Sequence, residues 1–245
     1  MLGLDIAEDG TSTAVYLLKL FLILYQSWAV SQWHIDTLLC AITNLTLPSA
    51  PNYGKQQAGV IYASLCRLYG TMLATHRTKI GGRYHLVVPA LQGLMRCLFI
   101  PHGRNGGSAT VPALPPWLYG REMILDGTHA AGFARLLTTI CDPTVSSVTR
   151  STNRSRRELN DDRKKARSIA GQHLPSVIML YCQCQLKGRL LPSVKAALTP
   201  GLYAVLDVMS QDAMHTLNAA MNSSSRAIFK ALYDDHRRFG RWEGT

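Results

Sequence analysis

An all-α fold is what this sequence predicts: an irregular stack of antiparallel helix pairs, HEAT/armadillo-like or a helical bundle, of about ten helices. The first observation is that apolar residues return at helical intervals. Leu202, Val205, Leu206 and Met209 fall at i, i+3, i+4 and i+7 and share one helix face. Met214, Leu217 and Met221 repeat the pattern, as do Phe229, Leu232, Tyr233 and His236. The second observation is a start signal ahead of these runs. Thr199 before Pro200 reads as a hydroxyl cap followed by proline at the first helical position, where the missing N–H costs nothing. Ser210 before Asp212 reads as a cap with an acid in the first turn. The third is the brevity of the connections, the serines at 223–225 among them, which leaves neighbouring helices roughly antiparallel.

Taken in order, residues 1–10 read as a disordered or linker-like start and residues 11–245 as a single helical domain, with flexible loops at 101–117 and 145–162. Thr11 or Ser12 caps a helix in which Val15, Leu18, Leu22 and Tyr25 share a side with Leu17, Phe21 and Leu24 close by. A helix apolar nearly all round is a central one. Val15 to Tyr25 is about half the ~20 apolar residues of a membrane span, and Lys19 interrupts it. Asp5, Glu8 and Asp9 precede it, where a secretory signal carries positive charge. The stretch therefore predicts no membrane segment. Ser31 opens a helix with Ile35, Leu38, Leu39 and Ile42 on one face, and the Pro- and Gly-rich segment from Leu47 to Gly54 is a turn.

A long helix follows, with Val60, Leu65, Leu68, Met72 and Leu73 available for burial, and ends before Gly81-Gly82. Val87, Leu91, Leu94 and Leu98 make the next, with Pro89 near its first turn or at a mild kink. Gly and Pro dominate residues 101–117, an exposed loop without the GK[ST] ending of a phosphate loop. Tyr119 to Cys141 resumes helix until Asp142-Pro143 stops it, and polar residues fill 145–162. No repeat of fixed period is present.

The net charge of +11 and a pI near 9.6 favour an anionic partner, nucleic acid foremost. Six cysteines, at 40, 66, 97, 141, 182 and 184, form no CxxC pair and no zinc-like spacing with histidine. They read as reduced core thiols, suited to a reducing compartment. No cofactor or small-molecule substrate is implied. The eight histidines show no HxxxH spacing, and no GxSxG setting occurs, so nothing supports an enzyme. Asp234, Asp235 and His236 are adjacent and so point to different helix sides, which suits surface ion pairs with Arg237 and Arg238 better than a metal.

The sharpest candidate site is basic. Between Arg150 and Arg167, eight cations meet three acids, a net of +5 in eighteen residues. Arg154, Arg156 and Arg157, then Arg163, Lys164, Lys165 and Arg167, form two clusters suited to RNA phosphates or to a bipartite nuclear import signal, against the plain alternative of a solvated loop. A secondary cluster, Arg77, Lys79, Arg83 and His85, surrounds Gly81-Gly82, where an anion site competes with simple helix punctuation. At the tail, Tyr233, Phe239 and Trp242 alternate with Arg237, Arg238 and Arg241. That mixture suits nucleic-acid stacking or docking on a partner, whereas the plain alternative folds Phe239 and Trp242 back over the last helix.

Several segments carry a resemblance. PGLYAVLD (200–207), LNAAM (217–221) and RAIFKALYDD (226–235) resemble the C-terminal domain of the Urb/Npa nucleolar family, the second member of the pair. RTKIGGRYH (77–85), LMRCLF (94–99), LLTTICDPT (136–144) and AGQHLP (170–175) are similar to it too. The resemblance implies a non-catalytic ribosome-biogenesis factor in the nucleolus, a scaffold in early pre-60S large-subunit assembly and pre-rRNA processing. Its implied partners are the other Urb/Npa scaffold protein, an early DEAD-box helicase module, pre-60S assembly factors and pre-rRNA. Full-length members are much longer, so Met1 begins an isolated domain or a truncated gene model. The rival expectation is a nuclear helical adaptor that binds only protein, its basic loop serving import alone.

Overall fold

Ser31 holds an extended backbone at the head of the first described helix, where the sequence places a helix start, and the described chain is largely helical from there. The computed structural model describes residues 30–52, 58–101, 114–118, 125–143 and 156–240, the side chains of 156–160 excepted. The expected first helix from Thr11 or Ser12 lies outside these residues. Among those described, the helices are α1 Gln32–Leu45, α2 Ala58–Thr75, the single turn α3 Arg77–Ile80, α4 Tyr84–Cys97 and α5 Gly127–Cys141. Then come α6 Arg156–His173, α7 Pro175–Lys187, α8 Pro192–Val208, α9 Gln211–Ala220 and α10 Ser223–Phe239. Two-residue strands, β1 Ile100–Pro101 and β2 Gly188–Arg189, pair antiparallel with Ile100 opposite Arg189. The all-α class expected from the sequence holds.

Most predicted faces are the buried ones. Ile35, Leu39 and Ile42 line α1, and Leu202, Val205, Leu206 and Met209 line α8 and its end. Val60 departs from expectation, being 57% exposed, because the inner face of α2 runs through Ala58, Ile61, Tyr62, Leu65, Leu68, Tyr69 and Met72 instead. Pro89 sits inside α4. Tyr62 and Tyr69 donate their hydroxyls to the carbonyls of Leu94 and Val87, at 3.1 and 3.2 Å. A rising position on α2 thus meets a falling one on α4, so these two helices are antiparallel.

The helix start predicted at Thr199-Pro200 lies elsewhere. α8 begins one turn after β2, with Leu191 extended and Pro192 in the first helical position, and Pro200 sits in its interior. There it removes a backbone donor, at about 3 kcal/mol in an isolated helix. Packing outweighs that loss. α8 lies along α5, with Gly201 against Ala134 and Gly127 against Ser193. The two contacts are seven residues apart on α5 and eight apart on α8, in the same order, so the helices run parallel. Small residues at both points let the backbones approach.

Asp126 begins α5 by accepting from the N–H groups of Thr128 (2.9 Å) and His129 (3.2 Å), so the helix is shorter than the expected Tyr119–Cys141, residues 119–124 lying outside the described ones. Ser210 caps α9 through the Ala213 N–H. Asn222, rather than the serines after it, caps α10; those serines form its first turn. Trp117 falls in the segment expected as an exposed loop, yet it is fully buried in a short 3₁₀ turn. Its indole N–H donates to the Leu45 carbonyl (2.6 Å) at the end of α1. Residues 102–113 lie outside the described ones.

Candidate functional site

The C-terminal end of α5 gathers three of the arginines singled out above, Arg77, Arg163 and Arg167. Asp142 stands just past the last helical residue, where the sequence places Pro143 to stop the helix. Arg163 donates to the Asp142 carboxylate from Nε (3.2 Å) and Nη2 (2.5 Å), and Arg167 from Nη1 (3.0 Å). The two arginines are four residues apart and therefore share a face of α6. Partial burial works against the Asp142 charge, but the hydrogen bonds and charges of Arg163 and Arg167 outweigh it and hold the carboxyl below its usual range. The stretch 145–162, expected as a flexible loop, thus contributes helix from Arg156 onward. Ala170 and Leu174 anchor that helix in the core, while its charges stay at the surface.

Of the other candidates in this segment, Arg154 lies outside the described residues, and Arg156 and Arg157 occupy the first turn of α6. Lys164 and Lys165 are exposed. Lys165 borders a cleft of about 520 Å³ between α6 and the α3–α4 corner, shared with Asp162, Ile169, Tyr84 and Arg77. Tyr84 stacks on His173 at 4.7 Å across the same corner.

The secondary cluster is mostly structural. Arg77 is only 8% exposed, and it donates to the carbonyls of Thr139 (2.7 Å) and Ile140 (2.5 Å). Those are last-turn oxygens of α5, which have no partner within their own helix. Lys79 donates to the Val30 carbonyl, and Arg83 pairs with Asp36 at 3.1 Å. The Gly81 N–H already donates to the Arg77 carbonyl, and the Arg83 N–H to that of Ile80. These two bonds suit helix punctuation at Gly81-Gly82. His85 is exposed on the first turn of α4.

At the tail, Tyr233 stacks with Phe229 at 6.3 Å and lines an open groove between α9 and α10. Phe239 does not fold back over the terminal helix: it is 67% exposed. Trp242 lies outside the described residues. His236 also departs from the surface ion-pairing expected of it. It points inward, its Nε2 sits 2.8 Å from the Asp207 carboxylate on α8, and its ring meets Tyr203 edge-on. The sequence signal for this was its place on the Phe229–Leu232 stripe. Five cysteines are buried, but Cys40 is exposed, contrary to its expected place in the core.

Two arginines escaped the sequence reading altogether. Arg67 and Arg135 sit singly inside helical runs, and only the packing of α2 on α5 brings them to one groove. Among the described residues no group of three or more His, Cys, Asp or Glu side chains is placed to hold a metal ion. No helix among them is long and apolar enough to cross a membrane. The arrangement offers helix faces and cationic surface.

Comparison with known proteins fits such surfaces to a family. The Urb2/Npa2 family profile matches residues 13–245. A curated relative, a probable nucleolar pre-ribosomal-associated protein 2 of Schizosaccharomyces pombe, is 23% identical over 208 residues, covering 84% of this chain. The chain spans about 15% of the length of that relative. No solved structure is a significant match. Family and relative together indicate a nucleolar, and so nuclear, location. A profile that runs from the first predicted helix to the last residue leaves one assignment: the chain belongs to the Urb2/Npa2 family.

Proposed function

We propose that this chain is a non-catalytic ribosome-biogenesis factor, a helical platform that holds assembly proteins and pre-rRNA together in the early pre-60S particle. The family match across residues 13–245 carries the proposal, and the relative described as pre-ribosomal-associated supports it. The physical mechanism is docking over broad helix faces, supplemented by phosphate contacts from cations. Exposed apolar side chains such as Trp33 and Phe239 suit protein partners, among them the other Urb/Npa scaffold and an early DEAD-box helicase module. Lys164 and Lys165 on α6, with Arg163 and Arg167 only partly covered by Asp142, suit an RNA backbone.

A second reading is a nuclear adaptor that binds protein alone. Its support is that Arg77, Arg83, Arg163 and Arg167 all have partners within the chain. One experiment separates the two: gradient sedimentation of the tagged protein from cells, followed by ultraviolet crosslinking and mapping of attached RNA. Co-sedimentation with pre-60S particles and crosslinks to pre-rRNA are expected. Co-sedimentation without crosslinks favours the adaptor, and absence from pre-ribosomal fractions overturns both.

A further inference from the structure

α2 and α5 cross closely. A Cβ on Gly132 would lie 3.9 Å from the Cys66 Cβ, and one on Gly70 would lie 3.4 Å from Leu136. Beside that crossing runs a groove of about 390 Å³. Arg67 borders it from α2 and Arg135 from α5, and both are exposed. Neither guanidinium has an ion-pair partner among the described residues. On α5 the groove is lined by Thr128, Gly132, Arg135 and Thr139, spaced four, three and four residues apart in one stripe, with His129 and Leu136 beside it. No carboxylate lines the groove. Asp126 stands near its end, and its carboxylate is already engaged by the Thr128 hydroxyl and by the N–H groups of Thr128 and His129.

We propose that this groove binds the phosphodiester backbone of RNA, with Arg67 and Arg135 each taking a phosphate and the glycines admitting the strand between them. This rests on the proposal that the chain contacts pre-rRNA, and it names where. Two planar guanidiniums on opposite walls match phosphate oxygens in bidentate fashion. A concave site lined by one sign of charge also concentrates an anion. The same stripe of α5 runs on for seven residues from Arg135 to Asp142, about 10 Å at helical rise. There Arg163 and Arg167 remain 40% and 38% exposed beside it. A strand leaving the groove reaches further cations on α6 without crossing an unpaired acid. Glycine, alanine and threonine supply half of the lining, and its larger apolar surface is confined to Cys66 and Leu136.

The test is fluorescence anisotropy of a labelled oligouridine of about twelve nucleotides against the full 245-residue chain over a salt series. Variants are Arg67→Ala/Arg135→Ala, the conservative Arg67→Lys/Arg135→Lys, the groove-filling Gly132→Leu, and Lys164→Ala/Lys165→Ala on α6. The double alanine variant should bind about fivefold or more weakly, taking two exposed charge pairs together. Its salt slope should fall by about 1.4, for two lost single-strand phosphate contacts. The lysine variant keeps both charges but loses the bidentate fork, so it should fall between the wild type and the double alanine variant, with a salt slope near that of the wild type. Gly132→Leu should weaken binding when compared below its own melting temperature. Equal binding by the wild type and the double alanine variant overturns the groove while leaving RNA contact intact. Groove-dependent binding of polyglutamate, with none of oligouridine, assigns the site to acidic protein and overturns it as an RNA site. Failure of the wild type to bind either polymer at low salt overturns the groove and RNA contact together.

Discussion

Gly201→Ala should destabilise this protein even though alanine is the better helix former. At residue 201 a Cβ would stand 2.7 Å from the Cα of Ala134 and 3.0 Å from its Cβ and carbonyl oxygen. These belong largely to a facing helix backbone, which has no rotamer to change. Restoring ordinary contact near ~3.5 Å requires α8 to move outward by several tenths of an ångström or more. That shift also disturbs Gly127 against Ser193 at the other end of the parallel seam. Overpacking of this kind costs about 1–3 kcal/mol, and replacing an interior helical glycine returns about 0.5–1 kcal/mol. At the middle of both ranges the net loss is about 1 kcal/mol, a fall in Tm of roughly 2–4 °C for a chain of this size. Gly132→Ala on α5 is the matched control, because its Cβ would meet only the Cys66 side chain at 3.9 Å. It should raise Tm by roughly 1–3 °C through helix propensity. Thermal melts by circular dichroism read both. A Gly201→Ala variant as stable as the wild type, or two variants shifted alike, would refute close α5–α8 packing.

Leu206→Ala removes a side chain only 2% exposed and should cost about 2–5 kcal/mol by urea titration; a loss under about half a kilocalorie would place that face of α8 outside the core. Asp142→Asn should remove a pH-dependent contribution. Its folded carboxyl is held below its usual range by Arg163 and Arg167, so the stabilisation is present above the unfolded value near ~3.9 and lost as pH falls through the folded one. The variant should therefore be less stable than the wild type at neutral pH, by up to about 1 kcal/mol for so exposed a pair, with the gap closing in acid. A gap that widens in acid would contradict the assignment. Burial pushes the thiols of Cys66, Cys141 and Cys182 up to about 12 and that of Cys184 to about 11, while Cys40 is exposed. An aromatic disulfide reagent near about pH 8 should then titrate one thiol quickly and the rest only after unfolding. Two rapid equivalents would mean that the core opens.

Periodicity made the helix faces legible, since the stripe through Leu202, Val205, Leu206 and Met209 is a property of spacing alone. The cap at Ser210, which accepts from the Ala213 N–H, was legible in the same local way. Thr199-Pro200 misled because local chemistry cannot register a partner helix. A proline is tolerated inside α8 where Gly201 is pressed against Ala134, and Pro192 supplies the start. Trp117 was hidden in a run of breakers; it joins the hydrophobic core, where a long-range hydrogen bond to Leu45 satisfies its indole N–H. The polar stretch ahead of Arg163 looked unstructured because its anchor, Asp142, lies across a chain break in periodicity and pairs only in three dimensions. The groove was illegible for a related reason: Arg67 and Arg135 are lone cations in apolar helices until α2 and α5 meet.

Net charge is a poor guide to where an anion binds in a stack of helices. Every helix ends in carbonyl oxygens that lack donors, and a cation that satisfies them neutralises no acid. Arg77 serves Thr139 and Ile140 in this way and Arg226 serves Asn218 and Met221, while Lys79 serves the Val30 carbonyl ahead of α1. Each adds a full positive charge to the total while its hydrogen-bonding capacity is directed inward. Arg83, Arg163 and Arg167 are engaged by carboxylates. An excess of +11 thus accumulates partly as a by-product of holding helix ends together. An anion site requires more than density of charge: cations without internal acceptors, on opposing walls of a concavity, and no acid between them. Among the described residues Arg67 and Arg135 meet those conditions. Arg77, in the secondary basic cluster of the sequence, does not, and its replacement should weaken the fold far more than any hold on RNA.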